Sequence, residues 1–436
     1  MEVLIMVGQL LLGLSILVGV HEWGHMVAAK SFGMRVEKFS IGFPPKIWAK
    51  QIGETEYSIG AIPLGGFVKI TGMIDESLDT KTLSEEPEPH EFRAKPAWQR
   101  LIVMLGGIIV NVVVGVIIFI SIAFVDGETY LTKDELNKHG IAAYELGEQL
   151  GFQTGDKIIN VNGRDFERFA EILSPSMLMG SDGYFTVDRA GEEVRIDMPN
   201  DFVEKFSGKN APQVITPRMQ FTVGEVASES NAEKAGLLAG DRFVTINSNE
   251  IKYFDQIGAA LDTLKLTVID AVVLRDDQEV NLKIDVTAEG TIGFYPITEL
   301  NYVEREYEFG EAMSAGTTRA FSVVWLNIQG INKMVKGEVS ARKSMAGPIR
   351  IATMFGGVWD WGRFWYLVGL LSMVLAFMNL LPIPALDGGH VVFLTWEIIS
   401  GRKPSDKFLE GAQKVGMVVL LSLMAFVIIN DTISLF

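Results

Sequence analysis

The chain has 436 residues, of which 48 % are hydrophobic and 21 % charged, with a formal net charge of −16 and no cysteine. Disulfides and thiolate metal sites are thereby excluded, and a nucleic-acid partner, which needs clustered Lys and Arg, is not expected. A mean hydropathy of +0.25 is high for a soluble enzyme and low for a protein built wholly of spans, so spans interleaved with water-soluble modules are predicted.

The first apolar stretch, about 3–29, has no basic residue ahead of it and runs into a charged motif instead of a cleavage site. It reads as a retained span that ends in His21-Glu22-Trp23-Gly24-His25. Two His at i and i+4 share one helix face and can bridge a metal ion, while Glu22 between them can reach a water as general base. A Glu and two His beside an apolar run are costly unless partnered. Satisfied core polar groups are the bland alternative, and the location speaks against them.

Residues 30–100 carry Lys30, Arg35, Lys38, Lys46, Lys50, Lys95 and Arg100. Within this segment Glu54-Thr55-Glu56-Tyr57-Ser58-Ile59 alternates in the manner of a strand, and Gly65-Gly66 follows. A second span is predicted over 98–125.

Residues 126–300 read as soluble and contain a repeat. Gly151-Phe-Gln-Thr-Gly-Asp156 and the strand after it recur 85 residues later as Gly236-Leu-Leu-Ala-Gly-Asp241 and its strand. Each copy has a Gly-Asp turn feeding a short alternating strand, which suits two tandem α+β domains, 126–220 and 221–300. The pattern resembles the PDZ domains attached to bacterial proteases; any small β-rich pair is the alternative. Linker helices follow over 301–362, where Phe321, Val324, Trp325, Ile328, Ile331 and Val335 keep helical spacing. That stripe suits packing on protein or lying in a membrane interface.

Spans three and four are predicted at 364–385 and 413–434, so membrane segments 1–125 and 363–436 flank the soluble insert. Trp359, Trp361, Trp365 and Tyr366 mark the start of span three. Arg402, Lys403, Lys407 and Lys414 follow it, and with the 30–100 cluster they put both loops on the cytoplasmic side; the termini and the insert then lie outside.

Catalytic metal sites of this type take three protein donors. Glu37, Glu54 and Glu56 are near the first motif, but none sits in a second helix motif. Asp387, in Asn379-Leu-Leu-Pro-Ile-Pro-Ala-Leu-Asp387-Gly-Gly-His390, is the better third donor. Spans one and three run the same way, so both motifs reach the same depth. The two prolines break the helix there, and a cap for the following helix is the alternative role for Asp387. His390 is read as a packing or supporting group, and His90 and His139 as solvated.

At these two motifs the chain resembles the site-2 protease family of intramembrane metalloproteases. Ile62-Pro-Leu-Gly-Gly-Phe-Val-Lys69 resembles the family's membrane-dipping hairpin, and Gly107-Ile-Ile-Val-Asn111 its second-helix motif, with Ile108 departing from the usual Pro. With tandem PDZ-like domains between spans two and three, the resemblance covers nearly the whole chain.

The resemblance implies a polytopic α-helical membrane protein of about four spans, with a membrane-associated β-hairpin and two PDZ-like domains on the outer side. It implies Zn2+ held by His21, His25 and Asp387, Glu22 activating water, and Asn379 contacting the unwound substrate. The hairpin, over about 52–72 and with Tyr57, Ile59, Gly65 and Gly66, would add a strand to the substrate backbone, which the alternation at 54–59 fits. Substrates would be single-span proteins of the anti-sigma-factor type, already shortened by another protease, and remnant signal peptides. The expected location is the bacterial inner membrane, with the site towards the cytoplasm and the PDZ pair acting as a periplasmic filter. A metal transporter needs no Glu between paired His, and a PDZ scaffold or chaperone leaves the first motif without purpose.

Overall fold

A computed structural model describes residues 1–73, 87–172, 183–199, 213–337, 339–340, 342 and 345–433. The predicted insert therefore loses 173–182 and 200–212 from its first half, and the last residue of the predicted fourth span also lies outside the described residues. The chain forms two compact units, Met1–Gly127 with Glu306–Phe436, and Glu128–Arg305. Among the described residues four helices are long and apolar enough to cross a membrane.

In the first unit, α1 (Glu2–Ser31) is a 30-residue helix, about 45 Å long at 1.5 Å per residue. It stops where Gly33 turns with φ +66°. The hairpin that follows is longer than the 52–72 predicted: β1 is Val36–Ile52 and β2 is Thr55–Ile70. It also folds back on itself. Residues 38–41 of β1 pair with 56–59 on one side and with 66–69 on the other, and 46–52 pair with 55–60. The result is four limbs in the order 62–70, 36–43, 55–60, 46–52. Pro44 and Pro45, unable to donate to a ladder, occupy the corner between two limbs and have no register partner. Gly42 and Gly60 let the limbs cross, since a Cβ on Gly60 would strike the Phe43 carbonyl.

Helix α2 (Ala97–Asp126) packs on α1 through glycine. A Cβ on Gly106 would lie 2.7 Å from the Gly24 carbonyl oxygen, and one on Gly24 would strike Gly106 in return. The backbones therefore touch, which only small residues permit.

The second unit holds two lobes of like construction. Its strands enter and leave as a ribbon, β3 (Glu128–Leu131) antiparallel to β10 (Tyr302–Arg305), with Glu128 opposite Arg305. In the first lobe β4 (Lys157–Val161), β5 (Tyr184–Arg189) and β6 (Glu192–Asp197) form a meander over a core that includes Ile158, Phe185 and Val187. In the second, β7 (Arg242–Ile246), β8 (Val268–Arg275) and β9 (Gln278–Asp285) do the same over Phe243, Ile269 and Val273, with helix α3 (Phe254–Thr263) against them.

The repeated Gly-Asp turns are built alike. Asp156 accepts two hydrogen bonds from Arg189 at 2.8 and 2.7 Å and one from the Gln153 N–H at 2.8 Å. Asp241 accepts two from Arg275, both at 2.7 Å, and one from the Leu238 N–H at 2.9 Å. Each arginine also donates to the glycine that opens its repeat, Gly151 or Gly236, at 2.8 Å.

Back in the first unit, α4 (Phe309–Val335) carries the apolar stripe. It buries its small-residue face instead: Ala312, Gly316 and Ala320 are buried, with Gly316 set against Phe119 and Ile120 of α2. Phe321, Trp325 and Ile328 stay exposed. A short helix, α5 (Pro348–Phe355), precedes α6 (Trp361–Leu380), which Asp360 caps through the Arg363 N–H at 3.1 Å. α6 ends at Leu380, five residues before the predicted 385, because Pro382 and Pro384 cannot continue it. The chain crosses the break with Ala385 at φ +81° and restarts as α7 (Asp387–Ser400), followed by α8 (Asp406–Ile433).

Candidate metal centre

The two halves of the first unit meet at three side chains. His21 and His25, one turn apart on α1, bring their Nε2 atoms within 3.2 Å of each other. Asp387, 366 residues beyond His21 at the first turn of α7, places Oδ2 at 3.1 Å from His21 Nε2 and 3.3 Å from His25 Nε2. A tetrahedral zinc ion with ligand bonds of ~2.0–2.1 Å holds its donors about 3.3 Å apart, so this triangle has the size that zinc requires. Asp387 Oδ2 is buried without a hydrogen-bond partner, a costly state for a carboxylate that a cation would relieve. Among the described residues this is the one cluster of three such donors. The helix-cap alternative finds no support, since Leu386 holds the cap position and no side-chain cap bond forms.

The imidazoles are held by groups behind them. His25 Nδ1 donates to the Val103 carbonyl of α2 at 2.7 Å, which leaves Nε2 as the free donor atom. The Asn111 amide lies 3.2 Å from His21 Nδ1, and its oxygen is buried without a partner. With that oxygen turned to the ring it accepts the Nδ1–H and leaves His21 Nε2 for metal. Ser372 Oγ of α6 donates to the Asn111 carbonyl at 2.8 Å, tying α6 to α2 at this level. The sequence signal for Asn111 is a lone amide in an apolar helix.

A cavity of about 670 Å³ opens beside the triangle. One wall is the 65–70 stretch of β2, whose outer edge has no strand partner among the described residues. Glu22 lines the cavity, with the Val68 backbone N–H directed at its carboxylate. Gly66 is closed in by α1, as a Cβ there would lie 2.8 Å from Val18 Cγ1 and 3.3 Å from Glu22 Cγ. Asn379 lines the opposite side, its amide 3.2 Å from His21 Nε2.

Gly65 and Gly66 thus join Glu22, Asn379 and the three donors. Tyr57 and Ile59 do not line this cavity. Their limb is paired on both sides, and the Tyr57 hydroxyl reaches Lys30 at 3.1 Å and Met26 Sδ at 3.7 Å. Glu37 accepts from Thr71 at 3.1 Å, and Glu56 pairs with Lys46, so both are engaged away from the triangle. His390 lines the cavity outside the donor set. His90 faces Glu88 at 3.4 Å, and the His139 ring stands 5.4 Å from that of Tyr253.

Comparison with known proteins gives the family. The pattern of peptidase family M50 matches residues 9–423. A Pasteurella multocida protein named as a candidate zinc metalloprotease is 31 % identical over 450 residues, 97 % of each chain. The regulator of sigma-E protease RseP of Salmonella typhimurium is 28 % identical over 449 residues, again 97 % of each. RseP of Escherichia coli is 27 % identical over 461 residues, also 97 % of each. A match of that extent makes the chain a member of peptidase family M50, a site-2-type intramembrane zinc metalloprotease.

Proposed function

We propose that His21, His25 and Asp387 hold the zinc ion and that Glu22 is the general base in cleavage of single-span membrane proteins. The observation that carries this reading is the triangle of donors, 3.1–3.3 Å on each side, with Glu22 adjoining it. Bound zinc supplies Lewis acidity, polarising the carbonyl under attack and making water acidic enough to react near neutral pH. Glu22 takes the proton from the attacking water and returns it to the leaving amine nitrogen as the peptide bond breaks. The Val68 N–H orients the Glu22 carboxylate for that transfer. Asn379 faces the reacting segment from the other wall.

The substrate must be extended before it reacts, because a helical peptide bond is shielded by its own hydrogen bonds. The unpaired outer edge of residues 65–70 suits an added substrate strand. Substrates of the anti-sigma-factor type, first shortened by another protease, and remnant signal peptides fit this requirement. The names of the RseP relatives support the first class. The twin lobes, with their matched Gly-Asp turns, support the reading of tandem PDZ-like domains. The basic residues of 30–100 and 402–414 favour a bacterial inner-membrane location, with the site towards the cytoplasm and the lobes and termini outside.

The test is cleavage of a single-span protein by the purified enzyme in lipid vesicles. Chelator should abolish cleavage, and added zinc should restore it. A metal transporter would instead move zinc across the vesicle without cleaving, and a scaffold or chaperone would bind the protein and leave it whole.

A further inference from the structure

Gln413 is 4 % exposed, although it sits on α8, where only 11 % of the apolar window is buried. A buried polar residue on an otherwise peripheral span needs a partner. Its amide makes no hydrogen bond among the described residues, and Gln413 lines the catalytic cavity as the contribution of α8 to that wall. One turn further on, Gly416 presses against the Pro384 carbonyl so closely that a Cβ would overlap it. Residues i and i+3 share a helix face. Gln413 therefore belongs to the wall built from the break between α6 and α7, the wall that also bears Asn379 and Asp387.

An extended segment laid along the 65–70 edge turns half of its N–H and C=O groups to that edge and the other half away. Once the segment fills the cavity and displaces its water, the outward half needs partners as well. A glutamine amide is donor and acceptor at once and can serve either group. We propose that Gln413 is a substrate-binding residue that hydrogen-bonds the peptide backbone on the side turned away from β2. Such a contact reads the backbone and not the side chains, so it serves many substrate sequences. It rests on the added-strand reading of the substrate.

The test uses full-length enzyme in vesicles and a synthetic single-span peptide whose backbone amides near the cut are replaced singly by esters. An ester removes one N–H donor. Gln413→Met keeps the side-chain length and removes the amide. We expect Gln413→Met to hold normal zinc and to lose about tenfold in kcat/KM, the scale of one desolvated hydrogen bond. In the wild type, esters at outward positions should cost about as much, and in Gln413→Met they should add nothing. Activity within about twofold of wild type would overturn the proposal, as would ester losses that multiply with the substitution. Loss of zinc would also overturn it, by showing that Gln413 only braces the Asp387 break. Esters at the alternate positions report on the edge of β2 in both enzymes. If those are harmless in both, the added-strand reading itself fails, whatever Gln413 does.

Discussion

Gly107 faces His25 with no space for a side chain: a Cβ there would lie 2.5 Å from Nε2, and 2.6 Å from His21 Cε1. Both imidazoles are backed by the bare backbone of α2. Gly107→Val should therefore push the rings out of the donor triangle and lower zinc affinity by at least about tenfold, with proteolysis falling in step. Zinc content after dialysis against a graded metal buffer measures this. Unchanged affinity would mean that α2 can yield at this point.

Glu22→Gln should leave zinc near one per chain while proteolysis disappears. Glu22 adjoins the triangle without being one of its three donors. Metal analysis and cleavage of one substrate, done on the same preparation, separate the outcomes. A variant that lost its zinc, or kept appreciable activity, would end the general-base assignment.

Asp387→Ala should weaken zinc binding by on the order of a hundredfold, because it removes one of three donors and not an outer support. Its activity should return only in part at high zinc. Full occupancy at ordinary zinc levels would demand a different third donor.

In the second lobe, burial alone would raise the Asp241 carboxyl; the Arg275 guanidinium and the Leu238 N–H outweigh it and hold the carboxyl below the usual value. A carboxyl lowered in the folded state contributes stability that is complete above its unfolded value of ~3.9. That contribution drains away as pH falls through the folded value. Asp241→Asn should therefore flatten the acid side of the lobe's stability, read as hydrogen exchange of β7 and β8 in the full-length protein. Arg275→Met leaves a buried carboxylate unpaired and should cost about 3 kcal/mol near neutral pH. An unaltered acid limb in Asp241→Asn would assign the loss of stability to other groups.

Removing residues 128–305 and joining the ends with a short linker should leave the zinc site intact, since every proposed ligand lies in the other unit. If the lobes filter by size, cleavage of a span bearing a long outer domain should rise most, and an already trimmed substrate should change little. Equal loss on both would show that the lobes bind substrate productively or brace the fold.

The four spans and the donor triangle were legible because they rest on strong local signals: long apolar runs, HEWGH, and an Asp among helix-breaking prolines. What was not legible depends on partners distant in sequence. The fold-back of the hairpin needs Gly42 against Gly60, and no local pattern tells which limb becomes an open edge. Tyr57 and Ile59 show the alternation of a strand, yet the limb they occupy is paired on both sides. The repeated Gly-Asp turns were visible, but their arginines, Arg189 and Arg275, lie more than thirty residues downstream. On α4 the aromatic stripe drew attention, while the small residues Ala312, Gly316 and Ala320 make the packing face.

The contact between His21 and Asn379 spans 358 residues of chain. At ~5–20 residues per second, a ribosome needs roughly 20–70 s to travel that distance. For all of that interval the nascent protein carries His21, Glu22 and His25 in the bilayer without the segment that bears Asp387. If His21, His25 and Asp387 hold the metal as proposed, the ligand set closes only when the final helices arrive, and proteolysis should begin no earlier than the end of synthesis.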